Sequence, residues 1–150
     1  MKVVVDASVV VKWFLPDPHA EPDVNHALRV LREIKAAKLS PLQPPHWLAE
    51  AAAVIARLHP KVARQATELL YAMQLPVSDS LEVYTRSVDI SEKLNHHVFD
   101  TLYHAVALEH DATLISADEK YVRKAQSLGS LILLRTFGEN RAKSPPVDDA

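Results

Sequence analysis

The sequence predicts an α/β fold in which a central parallel sheet is flanked by helices. Three short apolar runs, at residues 3–5, 112–116 and 131–134, have the length and composition of strands buried on both faces, which is typical of parallel sheets. Longer segments with apolar residues at helical spacing lie between the first two runs. This alternation favours parallel pairing, because a parallel connection needs a long crossover segment.

Helical spacing and breaker residues define the remaining elements. A short helix or turn follows the first strand and ends at the Pro-rich residues 16–18, and a short extended piece is expected near Leu42. Gly129 ends the last helix. The tail, 138–150, lacks an apolar pattern, so we expect a domain at 1–137 and a disordered tail. The predicted helices are 24–38 (after Asp23 as N-cap), 47–58, 60–73, 81–94 (after Ser78 or Ser80), 100–108 and 118–128.

The composition bounds the class of protein. Apolar residues make up 48% of the 150 residues, which suits one domain with a proper core. No apolar run could span a membrane and no signal-peptide pattern is visible, so we expect a cytoplasmic protein. The absence of cysteine excludes a thiolate zinc site. Having only Gly129 and Gly138 excludes a Gly-rich phosphate loop and a Gly-x-Ser-x-Gly nucleophile turn.

Four acids are candidates for a common site. Asp6 and Asp118 follow strands, Asp100 starts a helix, and Glu50 lies at the inner edge of a helix. The carboxyl ends of parallel strands meet at one rim of the sheet, where ligands bind. Three of these acids also have an ordinary interpretation, since Asp6 and Asp100 suit helix N-termini and Glu50 could lie on a solvated face near Arg57.

Clustered carboxylates favour a hard divalent cation. They repel one another and raise each other's pKa values unless a cation lies among them, and all-oxygen ligands select Mg²⁺ or Mn²⁺ over zinc. Ser8 and Ser116 could hold these carboxylates in place. Such a site suits hydrolysis of phosphodiester bonds, because the ion activates water and stabilises charge on the phosphate.

The motifs around these acids resemble those of PIN domains, and most closely those of the ribonuclease toxins of VapBC-type toxin–antitoxin pairs. The resemblance covers residues 3 to about 137. It rests on Val-Val-Asp-Ala-Ser-Val-Val at 4–10 with Lys-Trp-Phe at 12–14, Trp-Leu-Ala-Glu at 47–50, Phe-Asp-Thr-Leu-Tyr-His-Ala-Val-Ala at 99–107, and Leu-Ile-Ser-Ala-Asp at 114–118 followed by Tyr121. One departure is Ala53, where the family often has asparagine.

The resemblance implies a three-layer α/β/α PIN-like domain. It further implies a Mg²⁺- or Mn²⁺-dependent endoribonuclease that works as a homodimer and is silenced by a cognate antitoxin. The catalytic and metal-binding residues would be Asp6, Glu50, Asp100 and Asp118. Ala53 affects a supporting hydrogen bond and leaves the carboxylates in place.

Several basic residues are candidates for contact with RNA. Lys120, Arg123 and Lys124 share one face of a helix and Lys12 follows the first motif, although a solvated face explains them equally well. His96, His97 and His104 flank Asp100, and we interpret them as turn or surface residues and not as metal ligands.

Other functions remain as alternatives. A dehalogenase-type phosphatase needs a second acid two residues after Asp6, where the chain has Ser8. A receiver-like module needs paired acids after the first strand and a lysine at a later strand end. A catalytically inactive PIN-like or receiver-like module would act only by binding protein or RNA.

Overall fold

A four-stranded parallel sheet forms the centre of the described part of the chain. The structure is a computed structural model and describes residues 1–15 and 23–139. The strand order is β2-β1-β3-β4, and all three pairings are parallel. The strands are β1 (Lys2–Val5), β2 (Ser40–Pro41), β3 (Thr113–Ser116) and β4 (Leu131–Leu133). The predicted fold class, a parallel sheet flanked by helices, is confirmed.

Helices connect and flank the strands. The α-helices are α1 (Ala7–Val10), α2 (Val24–Lys35), α3 (Trp47–Leu58), α4 (Pro60–Ala72), α5 (Leu81–Leu94), α6 (Val98–Glu109) and α7 (Glu119–Ala125). Shorter 3₁₀ turns cover Val11–Phe14, Gln126–Leu128 and Leu134–Thr136. Helices α3 and α4 pack against each other, as do α5 and α6. Within residues 1–15 and 23–139, no helix combines the length and apolar character that crossing a bilayer requires.

The core is centred on β1. Val3, Val4 and Val5 are completely buried, and Val5 lies opposite Ile115 of β3. Burial on both faces of the strand explains why these residues do not alternate with polar ones. Because β1 and β3 are parallel neighbours, their carboxyl ends lie side by side, and the residues that follow each strand are brought together.

Gln43 completes the hydrogen bonding at the end of β1. Its side-chain amide donates to the Val5 carbonyl and accepts from the Val5 N–H, both at 2.8 Å. Gln43 is completely buried, and its own backbone pairs with the segment at Pro76 and Ser78. The Gln43 side chain therefore makes the two hydrogen bonds with Val5 that a neighbouring strand would otherwise make, one residue before Asp6.

Three predicted helix boundaries were wrong. Helix α7 ends at Ala125 and not at residue 128, because its last turn tightens into the 3₁₀ turn Gln126–Leu128 before Gly129. Helix α2 ends at Lys35 and not at residue 38, because Ala37 adopts a left-handed conformation (φ 57°) that turns buried Leu39 toward β2. Helix α6 begins at Val98, with His97 as its N-cap, so Asp100 lies within the first turn instead of opening the helix. The predicted loop at residues 16–18 and residues 140–150 of the predicted tail lie outside the described residues.

Candidate active site

Asp6 lies at the carboxyl end of β1 and is held by two serines. Its carboxylate accepts from the Ser8 N–H at 3.2 Å and the Ser8 hydroxyl at 2.5 Å, and from the Ser116 hydroxyl at 3.4 Å. The first of these bonds makes Asp6 the N-cap of α1. The Ser8 hydroxyl also accepts from the N–H of Ala117 at 3.0 Å, which joins the ends of β1 and β3. Both interpretations of Asp6, as a cap and as a site residue, are therefore compatible with its geometry.

The surroundings of Asp6 oppose its negative charge. The pKa of Asp6 is raised from 3.8 to about 6, mainly by burial and also by the negative charges of Glu50 and Asp100, against the lowering effect of the Ser8 hydrogen bonds. Asp6, at the end of β1, and the acids of α3 and α6 are far apart in sequence and therefore come within electrostatic reach of one another only in the fold.

Glu50 is tied to α6 by a histidine. The imidazole Nε2 of His46 lies 3.3 Å from the Glu50 carboxylate and donates to the carbonyl of Phe99 at 2.6 Å. The His46 ring also contacts the edge of Tyr103, with 4.9 Å between ring centroids. His46 therefore fixes the first turn of α3, which carries Glu50, against the first turn of α6, which carries Asp100.

Asp100 has a matching histidine. His96 Nε2 lies 2.7 Å from the Asp100 carboxylate, and its ring lies against Tyr121 at 4.9 Å between centroids. The Asp100 side chain is 38% exposed and that of His96 is 12% exposed. His96 lies in the turn between α5 and α6, as expected, and its side chain contacts a candidate metal ligand.

Asp118 is held at the start of α7. Its carboxylate accepts from the Tyr121 N–H at 3.1 Å, and its own N–H donates to the Ser116 hydroxyl at 3.1 Å. Because Ser116 also donates to Asp6, the ends of β1 and β3 are linked through one hydroxyl. Asp118 thus lies at the same rim of the sheet, with its side chain used as a helix cap.

Tyr103 is a site residue that the sequence did not reveal. Its hydroxyl is buried and lies beside the Glu50 carboxylate, outside the geometry of an ordinary hydrogen bond. Burial raises its pKa above the ordinary value, and the charges of Glu50 and Asp6 raise it further. On an apolar helix a tyrosine looks like an ordinary core residue, and its position three residues after Asp100 was the only available signal.

The donor set suits a hard divalent cation. Asp6, Glu50 and Asp100 provide carboxylate oxygens in a partly desolvated setting, and the buried hydroxyl of Tyr103 lies among them. In the described ranges, no three His, Asp or Glu side chains stand close enough to hold an ion as placed. Binding an ion would therefore draw the carboxylates closer together than they stand.

The basic candidates lie in two places, on α7 and in the turn after α1. On α7, Lys120 and Lys124 line a cavity with His96 and His97, and they also border a second concavity that contains Arg123 and Glu119, 3.8 Å apart. Lys12 lies elsewhere, in the 3₁₀ turn Val11–Phe14.

His104 belongs to the core, and the expectation of a turn or surface residue was wrong for it. It is completely buried between the Tyr121 hydroxyl, at 2.9 Å, and the Gly129 carbonyl, at 2.8 Å. Burial lowers its pKa. These two partners satisfy both ring nitrogens, which leaves His104 a structural role.

The raised pKa of Asp6 predicts a pH dependence of stability in the metal-free protein. Between about pH 4 and pH 6 the unfolded chain releases the Asp6 proton while the folded chain keeps it, so stability falls as the pH rises. Asp6→Asn removes this effect. In urea unfolding with EDTA present, the free energy of unfolding of Asp6→Asn minus that of wild type should increase by on the order of 2 kcal/mol between pH 4 and pH 7. If the difference in free energy of unfolding between the two proteins stays the same from pH 4 to pH 7, solvent reaches Asp6 freely.

Comparison with known proteins places this fold and site in a family. The family model for the PIN domain matches residues 3–126. A search of curated protein sequences found no match. Among solved structures, the chain is similar to a toxin–antitoxin complex from Klebsiella pneumoniae, with a TM-score of 0.62 and 14% identity over 88% of this chain and 97% of that one. It is also similar to VapBC2 from Rickettsia felis, solved bound to a promoter DNA fragment, with a TM-score of 0.59 and 17% identity over 89% and 97% of the two chains.

The chain belongs to the PIN domain family, whose members are nucleases that generally use divalent metal ions. The match covers Asp6, Glu50, Asp100 and Asp118. The predicted three-layer PIN-like fold is confirmed by the likeness to the two solved structures.

Proposed function

We propose that this protein is a Mg²⁺- or Mn²⁺-dependent endoribonuclease and the toxin of a toxin–antitoxin pair. The observation that carries the proposal is the convergence of Asp6, Glu50 and Asp100, from three separate elements of a PIN domain, within electrostatic reach of one another. Repulsion among these carboxylates is costly in a folded protein, and a cation bound between them would relieve it. Asp118 joins the set from the neighbouring strand end.

The proposed site would hold the ion with Asp6, Glu50, Asp100 and Asp118. When bound, a divalent ion stabilises the negative charge that develops on a phosphodiester during hydrolysis and lowers the pKa of water. Ser8 and Ser116 keep the Asp6 carboxylate oriented through their hydroxyl groups. His46 and His96 restrain Glu50 and Asp100 from their outer sides.

The proposed partners are RNA, a cognate antitoxin and a second copy of the chain, in the cytoplasm. The complexes found among the solved structures support an antitoxin, since both are described as toxin–antitoxin or VapBC structures. Exposed apolar side chains on α3, α4 and α5 also suit protein contacts, with Leu58 52% exposed, Leu69 54% and Leu81 72%.

RNA cleavage tests the proposed function. Purified protein should cut single-stranded RNA internally in Mg²⁺ or Mn²⁺, should stop cutting in EDTA, and should recover when the metal is restored. DNA of the same sequence serves as the substrate control. Metal-independent cutting would indicate a contaminating nuclease. Binding without cutting in any metal, after removal of any copurifying antitoxin, would favour the inactive binding module.

A further inference from the structure

A polar cavity lies beside the carboxylates, where the turn between α5 and α6 meets α7. We name it the α5–α7 cavity. Its volume is about 340 Å³, and its lining residues are Ser91, Asn95, His96, His97, Lys120 and Lys124. The lining contains two lysines and two histidines and no acid. The proposed hydrolysis assigns no chemical step to the lysines or to His97.

His96 forms the wall between this cavity and the carboxylates. Its Nε2 lies 2.7 Å from the Asp100 carboxylate, and its Nδ1 lies 3.4 Å from Lys124 Nζ on the cavity side. A group bound in the α5–α7 cavity would therefore be a neighbour of the proposed metal site. The imidazole would separate that group from the negative charge of Asp100.

The cavity offers donors that the protein does not use. Lys124 Nζ donates to the Asn95 carbonyl at 3.1 Å and contacts His96. The third ammonium proton of Lys124 is available to a ligand. Lys120 makes no hydrogen bond or ion pair with residues 1–15 and 23–139. His97 is the N-cap of α6 without a side-chain capping bond. Unused cationic donors around a concave polar surface suit an anion with several acceptor oxygens.

We infer that the α5–α7 cavity binds a phosphate group of the RNA strand other than the one that is hydrolysed. This inference rests on the proposed nuclease function, and it identifies a substrate subsite within it. Lys120 and Lys124, one helical turn apart on α7, would hold the phosphate with His97. Arg123 is assigned no part in it, because it does not line the α5–α7 cavity and its guanidinium lies 3.8 Å from the Glu119 carboxylate. A second phosphate contact would fix the position of the strand over the carboxylates.

RNA binding without cleavage tests the subsite. We would measure the fluorescence anisotropy of a short labelled single-stranded RNA with metal-free protein in EDTA. Lys120→Ala/Lys124→Ala should bind RNA about tenfold or more weakly than wild type. The dependence of log affinity on log salt should also become shallower by about 0.7. The control, Lys38→Ala/Lys61→Ala, removes the same charge at lysines outside the cavity and should weaken binding by only about threefold or less.

Inorganic phosphate provides an independent readout of the cavity. In NMR spectra, phosphate should shift the ring signals of His96 and His97 in wild type and in the control, and not in Lys120→Ala/Lys124→Ala. Shifts in wild type together with equal RNA binding by the two double mutants would indicate a site for a free phosphate compound, which overturns the inference.

Failure of the subsite and failure of the proposed function give different results. If wild type cuts RNA with metal but the two double mutants bind RNA equally and phosphate shifts neither histidine, the subsite is wrong and the nuclease stands. If wild type neither binds nor cuts RNA, the subsite and the nuclease function are both wrong, whether or not phosphate shifts the histidine signals.

Discussion

Asp6→Asn is expected to lower metal-dependent RNA cleavage by about a thousandfold or more without unfolding the protein. Asparagine keeps an acceptor for the Ser8 and Ser116 hydroxyl groups, so the cap of α1 and the link to β3 should survive. The lost charge is the one that burial and the neighbouring acids disfavour. Cleavage should therefore fall while the stability of the metal-free protein at pH 7 is equal or higher.

Asp100→Asn should lose cleavage to a similar extent, because it removes a second proposed ligand from α6. Asp89→Asn is the matched control, since Asp89 is an exposed acid on α5 and its substitution removes the same charge. The measurement is single-turnover cleavage of one RNA by all four proteins in Mn²⁺, with thermal unfolding alongside. Wild-type rates for Asp6→Asn and Asp100→Asn would refute the carboxylate site.

Gln43→Ala is expected to destabilise the protein by about 2–6 kcal/mol. It would leave the N–H and carbonyl of Val5 unpaired in the completely buried interior, and each unpaired group costs about 1–3 kcal/mol. Urea unfolding measures the loss. Gln65→Ala, at an exposed position of α4, is the control and should change stability by less than about 0.5 kcal/mol. Equal stabilities of the two mutants would show that the Gln43 amide adds nothing to β1.

The strands could be predicted, and the four acids proposed as a site, because each is a local feature of the sequence. A β-branched run such as residues 3–5 indicates a buried strand by itself, and parallel pairing then brings Asp6 and Asp118 to one rim of the sheet. The start of α6 was misplaced for a local reason as well. An acid suits the first turn as well as the N-cap, so Asp100 alone did not determine where the helix begins.

The supporting residues could not be predicted, because their roles depend on partners that are distant in sequence. Gln43 pairs with Val5, 38 positions away, and nothing near Gln43 indicates that its amide replaces a strand. The histidines differ, since His46 and His96 each precede an acid by four residues. That spacing was a usable signal for His46, the N-cap of α3. It was hidden for His96 by the turn between α5 and α6.

Mn²⁺ binding in the absence of RNA tests most directly whether these carboxylates form a metal site. Isothermal titration of metal-free wild type, Asp6→Asn and Asp89→Asn at pH 7 separates binding from catalysis. We expect saturable Mn²⁺ binding by wild type and Asp89→Asn, and binding weakened by about a hundredfold or more in Asp6→Asn. Equal Mn²⁺ affinity in all three proteins would show that Asp6 does not bind the ion, and the proposed active site would be wrong.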